Sequence, residues 1–153
     1  MQEFFMQEAL KEARKAYLKE EVPVGAVIVK DGKIIARAHN LKESKHSSLA
    51  HAEILAIKKA NKKLNTWRLN DCEMYVTLEP CTMCMGALVL SRIKKIYIGT
   101  LDLKTGACGS FIDLPNYKFN HKIEIETGIL QADGEKILQV FFKNLRKNRR
   151  KNV

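Results

Sequence analysis

The chain has 153 residues, 46% of them hydrophobic and 29% charged, with 27 Lys plus Arg against 17 Asp plus Glu for a formal charge of +10. A chain of this length buries about 68–70% of the surface its unfolded form exposes, and ordinary apolar content with only 8 Gly and 3 Pro excludes disordered and fibrous classes, so one domain spanning residues 1–153 is expected. The longest run without a charged side chain, residues 80–91, falls short of the roughly 20 that cross a bilayer, and the start carries Glu3, Glu8 and Glu12 rather than a basic then apolar leader; no membrane partner and a cytoplasmic location are expected.

Met6, Leu10, Ala13 and Tyr17 recur at helical steps and predict an amphipathic helix over residues 2–19. Residues 24–29 are a compact Val- and Ile-rich run, Asp31-Gly32 is a favoured two-residue hairpin turn, and Ile34-Ile35-Ala36 opens the return strand. Residues 40–50 are polar and read as a loop. Ile54, Ile57, Ala60 and Leu64 form a second helical stripe, with Lys58, Lys59, Lys62 and Lys63 as its solvated face. A connector at 65–71 holds the only Trp, Trp67, which reads as core or interface. A strand at 74–78, Pro80, a helix at 82–91 and a strand at 93–99 follow. Residues 100–120 are irregular, with a short helix expected near Ser110; a strand at 121–127 ends at Gly128, and a helix runs over 133–149 with Ile137, Phe141 and Leu145 as its core stripe. Strands that alternate with helices after an antiparallel hairpin require right-handed crossovers and parallel pairing. The expected fold class is α/β, a three-layer α/β/α domain with a five-stranded mixed sheet.

Residues 143–153 hold Lys143, Arg146, Lys147, Arg149, Arg150 and Lys151 and no acidic side chain, so this basic C-terminal helix and tail carries most of the net charge. Such a block suits a polyanion, most often nucleic acid, through phosphate neutralisation and counterion release. A solvated, frayed terminus is the alternative.

The four cysteines stand in a chain read as cytoplasmic, where metal binding or catalysis is commoner than disulfides. Cys72 and Cys108 stand alone and read as small buried hydrophobes. His51-Ala52-Glu53 and Pro80-Cys81-Thr82-Met83-Cys84 are different. One His and two Cys supply three ligands suited to Zn²⁺, and three is the number that leaves a catalytic zinc a fourth position for water. His39, His46 and His121 are conceivable fourth ligands, which would make a closed structural site instead. Cys81 and Cys84, three apart at a helix start, can reach one metal, and the positive end of the helix favours their thiolates. Pro80 suits the junction of strand and helix. Zn²⁺ with two thiolates and a neutral imidazole sums to zero charge, so its water is acidified weakly and needs a base; Glu53 is assigned to that proton transfer.

Beyond these motifs, Glu21-Val22-Pro23-Val24-Gly25-Ala26, Tyr75-Val76-Thr77-Leu78-Glu79-Pro80-Cys81, Lys104-Thr105-Gly106, Phe119-Asn120-His121 and Phe141-Phe142-Lys143-Asn144-Leu145-Arg146 occur in order along the chain. Together they resemble the bacterial tRNA-specific adenosine deaminases, a branch of the cytidine deaminase-like zinc deaminases. The resemblance implies a homodimer that converts adenosine to inosine at the wobble position of a tRNA anticodon stem-loop. Zinc-bound hydroxide would attack adenine C6, with Glu53 as proton shuttle and ammonia as product. It also implies substrate contacts from Asn40 and Asn120 and a nucleic-acid-facing loop at Asp102. The residues themselves leave other roles open: Asn40 can end the hairpin, Asn120 can cap a turn, and Phe142 can stack on a base or pack beside Leu138. Phe142 and Arg146 are candidate RNA contacts on the last helix. Two rivals share the zinc motif. A deaminase of a free base or nucleoside gains nothing from the tail's cations, and a non-catalytic zinc domain that only binds RNA leaves Glu53 without a role.

Overall fold

The computed structural model describes residues 1–151, so the last two residues of the basic tail lie outside the described residues. The elements run α1 (Gln2–Leu18), β1 (Gly25–Lys30), β2 (Lys33–His39), α2 (Ala52–Leu64), β3 (Cys72–Leu78), α3 (Thr82–Leu90), β4 (Lys95–Thr100), a 3-10 turn (Leu114–Asn116), β5 (Glu124–Thr127) and α4 (Gln131–Lys151). One mixed sheet has the order β2-β1-β3-β4-β5, with β1 antiparallel to β2 and β3, and β3, β4 and β5 mutually parallel.

Successive side chains of a strand point to opposite faces, and here both faces are covered. Ala26, Ile28, Met74, Val76, Ile96 and Ile98 pack with Ala52 and Ala56 of α2 and Met85 and Leu88 of α3. Val27, Val29, Tyr75 and Tyr97 turn the other way, onto Phe5, Met6 and Ala9 of α1. On that side α4 meets α1, where the Asn144 amide donates to the Tyr17 hydroxyl at 2.9 Å. The three layers and the five-stranded mixed sheet are those expected. Asp31 and Gly32 join β1 to β2 with φ of 51° and 74°, the paired positive angles of a type I′ turn.

Gly25 opens β1 where α1 crosses it, and a Cβ there would stand 2.0 Å from the Ala9 carbonyl oxygen and 2.5 Å from Ala13 N. Both obstacles are backbone. Gly25→Ala is expected to cost about 1–3 kcal/mol or more by overpacking, read as a lower urea midpoint; an unchanged midpoint would mean that α1 is free to slide on the sheet.

Several local expectations are corrected. No helix forms near Ser110, because the N–H groups of Cys108 and Ser110 go to the Glu79 carboxylate, and a bridge between Cys108 and Asp113 closes the turn. The 3-10 turn comes later, with Pro115 in its first turn. The fifth strand starts at Glu124 rather than 121, since its partner β4 starts at Lys95 and offers no ladder before it. Trp67 is not core: it is 52% exposed, with the Arg68 guanidinium 4.5 Å from its ring centre. Ile137, Phe141 and Leu145 are half-buried, because α4 lies against α1 along that face; the buried residue of α4 is Gly134.

The topology also decides where a site belongs. Since β1 opposes its neighbours, the start of β1 and the ends of β2, β3 and β4 share one edge of the sheet, and the carboxyl ends of parallel strands are where open α/β sheets take ligands.

Candidate active site

α2 and α3 both begin at that edge. His51 and Cys81 each stand just ahead of a helix in extended backbone, and neither side chain caps its own helix, so both are available elsewhere. Cys84 lies on the first turn of α3 and is fully buried. His51 Nδ1 stands 3.7 Å from Cys81 Sγ and 3.6 Å from Cys84 Sγ, and the three donor atoms lie within 4.8 Å of one another. Bonds of about 2.0–2.1 Å to nitrogen and 2.3 Å to sulfur, set at the tetrahedral angle, put N and S about 3.6 Å apart. The donors are therefore spaced as three corners of a tetrahedral metal site would be, and the group could hold a metal ion.

Their protonation agrees with that geometry. A hydrogen bond from the Cys84 side chain brings the Cys81 thiol down to about 4 against the cost of burial, with His51 helping. Cys84 is pushed strongly upward by Cys81 and by burial. Two sulfurs sharing one proton, one half-buried and one buried, would be relieved by a dication, which lets both ionise. The conceivable fourth ligands are engaged elsewhere or point to solvent. The His39 ring lies between Glu12 Oε1 at 2.9 Å and Lys19 Nζ at 3.0 Å, His121 donates to the Ile93 carbonyl at 2.6 Å, and His46 is exposed. Among the described residues the group has three protein donors, the number of an open rather than a closed site.

Glu53 enters the site because α2 buries its alanine row. The inward face is Ala52, Glu53, Ala56, Ile57 and Ala60, rotated from the stripe of Ile54, Ile57, Ala60 and Leu64 that the periodicity favours. Small side chains let the helix lie close to the sheet and turn Glu53 inward. Burial pushes its carboxyl up to about 7, against its own backbone N–H and the His51 charge, which act to lower it. A carboxyl so placed both takes and gives protons near neutrality. Glu53, His51 and Cys81 share a cavity of about 180 Å³ with Val22, Val24, Asn40, Lys42, Leu78, Glu79, Asp102 and Thr105.

Two buried carboxylates hold the loops around this cavity. Glu21 accepts from Glu43 N at 2.9 Å, Ser44 N at 2.7 Å and Ser44 Oγ at 2.6 Å, and so ties down the loop after β2. Glu79 accepts from Asp102 N at 3.1 Å, Cys108 N at 2.8 Å, Ser110 N at 3.2 Å and the Ser110 hydroxyl, gathering the loop after β4. Sequence reasoning missed both, together with Lys42 and Thr105. The available signal was a lone Glu at the end of an apolar strand or beside one, where a charge is buried only with partners.

The other expected site residues divide. Asn40 lines the cavity and also works in the fold, its amide donating to the Val22 carbonyl at 3.2 Å and its oxygen accepting Lys42 N at 3.1 Å. Asp102 lines it too, its carboxylate folding the loop by accepting Lys104 N, Thr105 N and Thr105 Oγ1. Asn120 is exposed in the turn before β5, outside the cavity lining. Phe142 and Arg146 are exposed one turn apart on α4, hence on one face of it, and also outside the lining. Cys72 is buried in the core as expected; Cys108 is half-buried, and burial raises its thiol to about 12.

Residues 1–146 match the MafB19-like deaminase family. The tRNA-specific adenosine deaminase of Bacillus subtilis (strain 168) is 50% identical over 155 aligned positions, 99% of this chain and 96% of that protein. The chain belongs to the tRNA-specific adenosine deaminase family. The relative of the same name from Aquifex aeolicus (strain VF5) is also 50% identical, over 95% of this chain and 97% of its own length. A structure from work on A-to-I editing by tRNA:A34 deaminases at the wobble position superposes with a TM-score of 0.86 at 40% identity, covering 88% of this chain and 99% of that one. A guanine deaminase from Nitrosomonas europaea shares the fold less closely, with a TM-score of 0.78 at 27% identity over 91% of this chain and 83% of its own. Membership in the tRNA-specific adenosine deaminase family thus rests on nearly the whole chain, not on the metal motif alone.

Proposed function

We propose that this chain is a cytoplasmic zinc enzyme that hydrolyses adenosine to inosine at the wobble position of a tRNA anticodon, releasing ammonia. The observation that carries the reading is the meeting of His51, Cys81 and Cys84 at tetrahedral spacing with buried Glu53 in one cavity. Zinc held by those three residues supplies the Lewis acidity that makes water a nucleophile at neutral pH. Glu53 would take one proton from the attacking water and pass it to adenine N1, then take the second from the hydroxyl added at C6 and pass it to the amine, which leaves as ammonia. Asn40 and Asp102 stand at the cavity wall to orient the base, and the apolar side chains of Val22, Val24 and Leu78 exclude bulk water. A wobble base lies in a single-stranded loop and is splayed into such a cavity more cheaply than a base in a duplex.

The chain is one deaminase domain whose basic C-terminal helix meets RNA: Phe142 stacks on a base, and Arg146 and its neighbours neutralise phosphates. Asn120 joins them as a substrate contact outside the cavity. No helix among the described residues is long and apolar enough to cross a membrane. The working form is a homodimer, which the high exposure of Leu90, Leu103 and Phe111 supports, since large apolar side chains left in water commonly mark a protein partner. Truncation after Asn144 removes Arg146, Lys147, Arg149, Arg150 and Lys151. It is expected to weaken RNA binding and flatten its dependence on salt, by about 0.7–0.9 in log–log slope for each phosphate no longer neutralised, while metal content stays unchanged. An unaltered slope would leave the tail as solvated charge. The reading as a whole is tested by offering the zinc-loaded protein an anticodon stem-loop beside free adenosine, adenine, guanine and cytidine. Inosine in the RNA alone is expected, and turnover of a free base alone would replace the substrate.

A further inference from the structure

We propose that Lys42 is a phosphate-binding residue at the mouth of the cavity, which holds the backbone of the nucleotide whose base enters. The assignment rests on the RNA reading above and deepens it. Among the described residues that line the cavity, Lys42 is the one Lys or Arg, and it shares the lining with three carboxylates, Glu53, Glu79 and Asp102. A neutral base passes such a lining without penalty, but the phosphates that follow it do not. At close range in a partly enclosed site, like charges cost several times what they cost in water. One exposed cation beside carboxylates of which two are buried offsets that repulsion at the rim, where a phosphate would sit.

The side chain is available for this. Lys42 is exposed, and its ammonium has no carboxylate partner among the ion pairs of the described residues, whereas Lys15 pairs with Glu12 and Lys59 donates to the Arg37 carbonyl. The backbone beneath it is held from three directions. Its N–H donates to Asn40 Oδ1 at 3.1 Å, its carbonyl accepts Ser47 N at 3.0 Å, and the next two residues donate to the buried Glu21 carboxylate. Asn40 itself lines the cavity, so the residue that anchors Lys42 also touches the space the base fills. A lysine is a point charge without a planar fork, which suits grip on a phosphate of any sequence rather than base recognition.

Lys45 provides a matched control, being exposed on the same loop but outside the cavity lining. Steady-state kinetics on the anticodon stem-loop at low salt compare Lys42→Ala, Lys42→Arg and Lys45→Ala. Lys42→Ala is expected to raise KM about tenfold with kcat within about twofold and to lower the salt slope by about one. Lys42→Arg is expected to restore most of the loss, and Lys45→Ala to change KM less than about twofold. Equal effects of the two alanine variants, or an unchanged KM in Lys42→Ala, overturn the assignment while leaving the RNA reading in place. Absence of RNA turnover by the unaltered protein overturns both.

Discussion

Glu53→Ala lowers turnover of wobble adenosine by at least about a hundredfold, within the 10²–10⁴ range typical of a positioned acid-base group, while metal content and RNA affinity persist. The expectation follows from charge and place together. A zinc held by two thiolates and a neutral imidazole would carry no net charge and would acidify its water only weakly, so a base must share the work. Glu53 is 4% exposed, faces the cavity that His51 and Cys81 line, and has a carboxyl raised to about 7 by burial. No other carboxylate of the cavity has that freedom. Glu79 spends both oxygens on the loop after β4, and Asp102 spends both on its own turn. Glu53→Gln keeps the shape and removes the proton traffic, so it should fail as badly as Ala. Metal analysis and RNA titration beside single-turnover rates make the measurement, and retained turnover in either variant removes Glu53 from the mechanism.

Cys84→Ala abolishes both metal retention and activity. Cys84 is fully buried and is one of three donors that meet at the helix starts. Its loss leaves a two-ligand set, too few to hold a metal that structural and catalytic sites grip with three or four protein donors. Metal content is expected to fall from about one per chain to under about a tenth, with turnover beyond detection. Chelation of the unaltered protein should reproduce the loss, and added zinc should restore activity to it but not to Cys84→Ala. Cys72→Ala serves as the contrast. Cys72 is equally a buried cysteine but packs in the core among Met74, Leu69 and Ile96, so its replacement is expected to lower stability and leave the metal in place. Full metal content in Cys84→Ala would contradict the ligand set.

The parts of this site that a reader of the sequence can find are those written in local spacing. Cys81 and Cys84 are one helical turn apart, and His51 follows a polar loop into a helical stripe, so the trio announces itself before any fold is known. Short apolar strands that alternate along the chain with helical stripes likewise announce the three layers. What is not local is not announced. The periodic signal in α2 weighs Ile and Leu above Ala, yet close packing on the sheet selects the alanine row, and that rotation places Glu53 inside. Glu21 and Glu79 act on residues more than twenty positions away, through backbone N–H groups that carry no side-chain signature. The same Glu79 hydrogen bonds explain why the stretch around Ser110, which reads as a short helix, is a turn: the amide groups of Cys108 and Ser110 are already taken. Lys42 looks like any other lysine of a polar loop until the loop is seen to line the cavity.

The central claim is that His51, Cys81 and Cys84, with Glu53 beside them, serve the deamination of one adenosine in one RNA context. It is tested most directly by incubating the zinc-loaded protein with an anticodon stem-loop that carries adenosine at the wobble position, and with the same loop shifted to carry it at the next position. Mass analysis of the digested nucleosides and an ammonia assay complete the measurement. The account predicts one inosine and one ammonia per wobble-adenosine loop and neither product from the shifted loop or from Glu53→Ala. Ammonia released without inosine in the RNA, or equal editing at both positions, would contradict it.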